Sequence, residues 1–510
     1  MNFSRLLGAC CLLACSPHFV FSEEVQRVAE QIDRRISAFW TAQQIQPAPL
    51  ADDAEFFRRV YLDLGGKIPT TAEVRQFLAD KSPNKRREIV ERLLESPAYV
   101  ENFTDYWREV LLQDANPETS GGVYGLETWL RRQMIDNTPY DQFAQEILSV
   151  PSFQLGSSSG PSVFYSSRPA SPEVIAAATA RTFLGVRVEC AQCHDHPFDD
   201  WERESFWSFA AFYASLKQIM PEEGVFRGVE ASKEWREITI PGTETTVAAK
   251  YLDGGKPQWL AEKSPRVTLA RWITSADNKY FARTVVNRTW AHFFGRGFVN
   301  PVDDFRDSRP PSHPRLLDEL TREFIAAKFD MKFLIRAITA SRAYQRSSEK
   351  THASQTPQSF ARMAVKGMTP PQLHRSLLRA VGTYEGGEDF AGQEDFRQKF
   401  FEWFSRTDAP TESQTTILQA LAMMNGPHVT WATDLQKSKT LSAVLAFPGW
   451  SDADRIETLF LASLSRPPRP DEAARLLKYV KTGGPKKDRK EALADVFWAL
   501  LNSSEFMLNH

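Results

Sequence analysis

The sequence predicts a mainly α-helical fold: two helical domains joined by a small β-rich connector. Three observations predict it. Apolar residues recur at spacings of three and four over most of the 510 residues, helix start and stop residues bracket those runs, and strict alternation is confined to one stretch near the middle. A chain of this length can bury two or three full-sized cores. It is 42 % hydrophobic and 25 % charged, with a net charge of −2, which argues against a nucleic-acid or anionic-lipid partner. The 35 Phe and 13 Trp fall mostly at helical spacing, where core packing explains them.

The first 22 residues read as an export signal: Arg5 is the positive end, Leu6 to Cys15 the apolar run, and Val20-Phe21-Ser22 the cleavage site. The run is too short for a transmembrane span. Leu12-Leu13-Ala14-Cys15 also resembles a bacterial lipobox, which would make Cys15 a lipid anchor. Either way the body is expected outside the cytoplasm, periplasmic or extracellular.

The first helical domain is expected over 23–217. Val25, Val28, Ile32, Ile36 and Phe39 mark one amphipathic helix. Asp52-Asp53 caps a second, carrying Phe56, Phe57, Val60 and Leu64, which Gly65-Gly66 ends; Pro69-Thr70 with Glu73 starts a third. Tyr61 to Leu64, Ile68 to Glu73 and Leu93 to Tyr99 are echoed at the far end by Phe460 to Leu464, Pro468 to Glu472 and Leu500 to Phe506, and in part by Ile338 to Tyr344. These are packing units, and shared capping chemistry is one explanation of the echo. Helices follow over 104–150, then a loop at Ser157 to Pro161. Ser171-Pro172-Glu173 opens the helix Val174–Leu184, which Gly185 stops. Another helix, Glu204–Leu216, is rich in Phe and Trp. The connector spans 218–260, where Gly224 to Val229 and Glu237 to Ile240 alternate and Pro241-Gly242 turns the chain. The second helical domain is expected over 261–510, with helices at Leu269–Ile273, Phe281–Phe293, Arg315–Ile338, Pro371–Val381, Ser413–Met424 and from Arg455 onward, and a surface loop at 383–396.

The chemistry concentrates in Cys190-Ala191-Gln192-Cys193-His194-Asp195-His196, which holds the two cysteines outside the N-terminal segment. C-x-x-C-H is the attachment signature of haem c: two thiols on one turn reach the porphyrin vinyl groups, and the histidine supplies the proximal nitrogen. Cys190 and Cys193 fit two other chemistries, a disulfide or redox dithiol and a tetrahedral zinc-type site with His194 or His196, as well as a purely structural role. His196 is expected to bond a carboxylate such as Asp199 or a backbone carbonyl. Met220, His292, His313, Met423, Met424 and His428 are conceivable distal ligands, as is an open site. A second candidate is the polar loop after Phe294, where Asp303, Asp304, Asp307, His292 and His313 could form a metal site or an acid–base pair; caps and turns explain the same carboxylates.

Phe56 to Leu64, Leu93 to Tyr99 and Cys190 to Phe198 together resemble the planctomycete-type cytochrome-associated domain (domain of unknown function 1549). Ala282-Arg283, Asn287 to Trp290, Phe294 to Gly297, Pro311 to Pro314 and Leu501 to Phe506 resemble its companion (domain of unknown function 1553). The resemblance implies a cytochrome-like motif and no established activity. Many relatives look to carry a separate cytochrome c domain ahead of this pair; here the signal runs almost directly into the first motif. The expected function is therefore an exported haem c protein, in electron transfer or redox sensing with a redox partner, through Cys190, Cys193 and His194. The alternatives are a metal-dependent enzyme or accessory protein of extracellular polymer breakdown using His292, Asp303, Asp304 and His313, and a non-catalytic helical scaffold.

Overall fold

The computed structural model describes residues 17–113, 115, 123–151, 154, 160–169, 171–195, 201–215, 218–219, 227–228, 236–261, 263–383, 397, 400–401, 404, 424 and 426–510. Residues 1–16, Ser157 to Ser159, Gly224 to Phe226, all of the loop expected at 383–396 except Thr383, and all of the helix expected at Ser413–Met424 except Met424 lie outside the described residues.

Helices dominate, and among the described residues the strands form three two-stranded antiparallel pairs. Helices α1 (Pro17–Ala42), α2 (Asp53–Gly65), α3 (Thr71–Ala79), α4 (Lys85–Leu94), α5 (Pro97–Leu111), α6 (Val123–Ile135), α7 (Tyr140–Leu148), α8 (Val163–Ser166), α9 (Pro172–Thr179) and α10 (Arg203–Ala210) make the first half. In the connector, strand β1 (Gln218–Ile219) pairs with β2 (Arg227–Gly228), and β3 (Glu237–Thr239) pairs with β4 (Thr246–Ala248) around Pro241-Gly242. The second half holds α11 (Pro265–Ile273), α12 (Phe281–Phe294), α13 (Pro314–Ala326), α14 (Met331–Ala340), α15 (Pro370–Val381), α16 (Pro427–Ala432), α17 (Lys439–Ala446), α18 (Asp452–Leu464), α19 (Pro470–Thr482), α20 (Arg489–Leu501) and α21 (Ser504–Met507). Strand β5 (Lys366–Gly367) pairs with β6 (Leu508–Asn509) next to the last residue.

The echo between the chain's ends is a repeated packing unit, α2 to α5 and α18 to α21. Asp52 and Ser451 cap the first helix of each copy through their side chains. Gly66 and Ser465 then leave it in the left-handed region, φ 63° and 60°. Thr70 with Glu73, and Arg469 with Glu472, open the next helix. The closing corner is the same in both copies and in the third, partial one. Ser96, Ser503 and Ser341 each donate to the carbonyl three residues back at 2.7 Å. Each also accepts the amide three residues ahead, at 3.2, 3.1 and 3.3 Å, and the residue so placed, Tyr99, Phe506 or Tyr344, is a buried aromatic. Two adjacent arginines of α2 tie the corners together. Arg58 donates to the carbonyls of Ser463 and Phe506, and Arg59 to that of Tyr344.

Hydrophobic packing does not divide at the connector. One large core runs from Val28 in α1 through α14 to Met363, and so includes both sides of 218–260. A second core gathers Met368 to Phe506, with Leu62 and Ile68 of the first repeat reaching into it. Helix α1 lies along α13 and α14, where Arg27 grips Glu323 at 2.6 and 2.8 Å and Asp33 accepts the amides of Arg342 and Ala343, and Tyr140 of α7 stacks on Phe281 of α12.

Candidate functional site

The Cys turn is presented by a helix that ends abruptly. Helix α9 widens into a π turn over Ala180–Leu184 and stops at Gly185, φ 66°. A Cβ on Gly185 would sit 2.6 Å from Thr284 Oγ1 and 3.0 Å from the Phe305 ring, so both conformation and contact demand glycine there. Ser171, expected as a side-chain cap of α9, makes no such bond; Pro172 at the first position already removes one donor. Val186 and Val188 are buried and anchor the strand-like approach. A 3₁₀ turn, Glu189–Gln192, then carries Cys190 and leads into Cys193.

Cys190 lies inside the 3₁₀ turn and Cys193 directly follows it. Both are exposed, free thiols. The platform beneath is stiff: the Gln192 carbonyl accepts Trp207 Nε1 at 3.0 Å and Arg203 Nε at 3.2 Å. Arg203 also donates its amide to Asp195 Oδ1 and its Nη2 to the Pro241 carbonyl, at 2.9 and 2.8 Å. His194 is exposed, with Nδ1 2.7 Å from the Asp195 carbonyl. A carbonyl only accepts, so Nδ1 carries the proton and Nε2 presents its lone pair. His196 and Asp199 lie outside the described residues.

Residues 181–189 are gripped from the second half. Arg288 of α12 donates to the Thr182 carbonyl at 2.7 Å and the Arg181 carbonyl at 3.4 Å, and the Phe305 amide donates to the Gly185 carbonyl at 2.9 Å. Arg187 holds Asp303 Oδ1 at 2.8 Å through Nη2. Arg181 pairs with Glu189, and its Nε stands 3.8 Å from Asp303 Oδ2. Partial burial lowers the proton affinity of Arg187, but Asp303 more than reverses this and holds its pKa above the ordinary value.

The carboxylate–histidine cluster predicted from the 292–313 region does not assemble. Asp303 is committed to Arg187, and Asp304 to Arg306 at 2.6 Å and Arg309 at 2.8 Å. His292 points into the interior, where Nε2 donates to the Asp63 carbonyl at 2.9 Å among Phe103, Tyr106 and Phe293. Burial, then the Lys366 charge, lowers its pKa. His313 is boxed by Phe39, Phe298 and Phe360, and burial pushes its pKa down to about 4. Among the described residues no group of three or more His, Cys, Asp or Glu is arranged to hold a metal ion. Of the other conceivable distal ligands, Met424 is exposed, and Met220, Met423 and the His428 side chain lie outside the described residues.

Sequence reasoning missed a buried polar hub around Asp63. Its carboxylate accepts Lys366 Nζ at 2.6 Å, Tyr344 Oη at 2.7 Å and Asn509 Nδ2 at 2.7 Å. Lys366 also donates to the carbonyls of His292 and Phe293 near the end of α12, the favourable end of a helix for a cation. Desolvation lowers the Lys366 pKa, while burial and then the Asp63 charge push the Tyr344 phenol up. The available signal was a lone acid inside the apolar run Val60-Tyr61-Leu62-Asp63-Leu64. A separate cleft of about 630 Å³, lined by Lys67, Glu101, Arg375 and Arg379 among others, contains none of the predicted site residues.

Residues 31–218 match PSCyt2, a protein of unknown function (DUF1549). Residues 265–408 and 392–480 match PSD1, a protein of unknown function (DUF1553). No curated protein and no solved structure matches the chain. The first match contains the Cys turn and Asp63; the second contains Arg288, Asp303 and Lys366.

Proposed function

For a chain that belongs to the PSCyt2 family over its first half and the PSD1 family over its second, we propose an exported haem c protein in electron transfer or redox sensing. One observation carries the reading: on a single exposed turn stand two free thiols at i and i+3 and an imidazole that presents Nε2. Cys190 and Cys193 would hold the porphyrin by thioether bonds, and His194 Nε2 would face the iron. A bound haem c supplies a one-electron iron couple. The chain's own contribution is to orient His194 through the Asp195 carbonyl and to brace the turn through Trp207 and Arg203. The partner is a redox protein that docks where the turn is exposed, and no helix among the described residues is long and apolar enough to cross a membrane.

A second reading is favoured by the same donor set. Two thiolates and one imidazole are three ligands of a tetrahedral zinc-type site. Among the described residues neither this trio nor His292, Asp303, Asp304 and His313 is gathered into a metal-holding group; of the two sets the Cys turn alone carries thiol donors, so a zinc-type metal would be bound there.

The test is a pyridine haemochrome spectrum and intact mass of protein exported from cells with cytochrome c maturation machinery. A c-type reduced α-band with one added haem mass, both lost in Cys190→Ala/Cys193→Ala, supports the proposal. A colourless protein of unmodified mass overturns it, and stoichiometric zinc in that sample establishes the second reading.

A further inference from the structure

We propose that Asp303, together with Arg288, is a positioning residue for the Cys turn, so that the PSD1 half is a working part of the site in the PSCyt2 half. The inference rests on the Cys turn being the functional site, and not on which group it holds.

The backbone leading into the turn has little structure of its own. A π turn, a left-handed glycine and an extended stretch leave carbonyls that no helical ladder satisfies. Arg288 takes those of Arg181 and Thr182, and the Phe305 amide takes that of Gly185. The path of residues 181–185 is thus written by donors from α12 and the loop after it.

Charge is arranged in the same way. Two guanidiniums, Arg181 and Arg187, flank the approach to Cys190. Glu189 answers the first, and Asp303 answers the second while also standing 3.8 Å from the first. Asp303 is 2 % exposed, so its field is poorly screened and acts more strongly than a surface carboxylate would. Asp304 contributes little here, because Arg306 and Arg309 both claim it. Removing the Asp303 charge leaves Arg187, three residues before Cys190, without its counter-ion. Removing Arg187 does the opposite.

The experiment uses the full-length, cofactor-free chain and compares wild type, Asp303→Asn, Asp303→Glu and Arg187→Gln. Each thiol is alkylated at low ionic strength with anionic iodoacetate and with neutral iodoacetamide, and the rate ratio is read by peptide mass spectrometry. The ratio cancels thiol ionisation and reports the local field. The expected result is a severalfold higher ratio in Asp303→Asn, a severalfold lower one in Arg187→Gln, near wild type in Asp303→Glu, and faster amide exchange over 186–195 in the two charge-removing variants. Ratios that move together in those two variants, or stay within twofold of wild type, overturn the proposal. Should Asp303→Asn fail to fold, Arg187→Gln, whose side chain is partly exposed, decides the matter alone. Haem attachment is read separately, so a wild-type chain that never acquires haem but shows the opposed ratios would refute the cofactor and leave this inference standing.

Discussion

Replacing His313 by leucine removes an acid sensitivity that the wild-type fold carries. His313 is 6 % exposed, with its ring among Phe39, Phe298 and Phe360, and burial brings its pKa from 6.5 to about 4. Between those values the unfolded chain binds a proton that the folded chain does not, so stability falls as pH falls through that window. The contribution is whole above pH 6.5 and gone below pH 4. A shift of that size corresponds to about 3 kcal/mol, at roughly 1.4 kcal/mol per pH unit. The assay is urea unfolding followed by tryptophan fluorescence at several pH values from 4 to 7, reading the wild-type-minus-His313→Leu stability difference. His292, whose pKa is also lowered, is present in both proteins and cancels. The difference should favour the variant by about 3 kcal/mol more at pH 4 than at pH 7. A difference independent of pH would refute the reasoning, because it would mean that the His313 site accepts a proton without cost.

Asp63→Ala should destabilise the chain by about 3–5 kcal/mol, since it leaves the Lys366 ammonium buried without its carboxylate, and adding Lys366→Met should restore a large part of that loss. Equal urea midpoints for Asp63→Ala and wild type would show that the hub is not a stabilising pair. Gly185→Ala should cost about 1–2 kcal/mol from the left-handed backbone alone, plus the contact with Thr284 Oγ1. In Gly185→Ala/Thr284→Ala the contact is relieved and the backbone cost stays, so full recovery in thermal unfolding would contradict the conformational account.

The helices were legible where the signal is local. Asp52, and Thr70 with Glu73, cap the helices their spacing foretold, and the serine corner could be read as a repeat because its bonds span only three residues each way. The Cys turn was legible as chemistry, but its support was not. The π turn at 180–184 is met by Arg288 of α12, more than a hundred positions away, which no local pattern signals. The carboxylates at 303 and 304 sit at metal-like spacing with His292 and His313, yet their partners are guanidiniums. Those of Asp303 stand more than a hundred positions away, and no pattern within the loop reveals them. His292 and His313 each have an aromatic lining that includes a distant helix: Phe103 and Tyr106 of α5 stand against the first, and Phe39 of α1 against the second. Each core draws residues from both sides of 218–260: α1 packs on α13 and α14, and Leu62 and Ile68 reach into the second core.

The bonds of Asp63 bear on how the protein is made. Its side-chain partners lie 281, 303 and 446 positions further along the chain. At a synthesis rate of about 5–20 residues per second, roughly 20 to 90 s separate the emergence of Asp63 from that of Asn509. Until Tyr344 emerges, α2 has an acid on its apolar face and two arginines without their carbonyls, and Arg58 waits further for Ser463. The early helices therefore have a built-in reason to stay open on the ribosome. Nascent or truncated chains ending before Asn509 should be held by chaperones or cleared by proteases rather than accumulate as a folded first half.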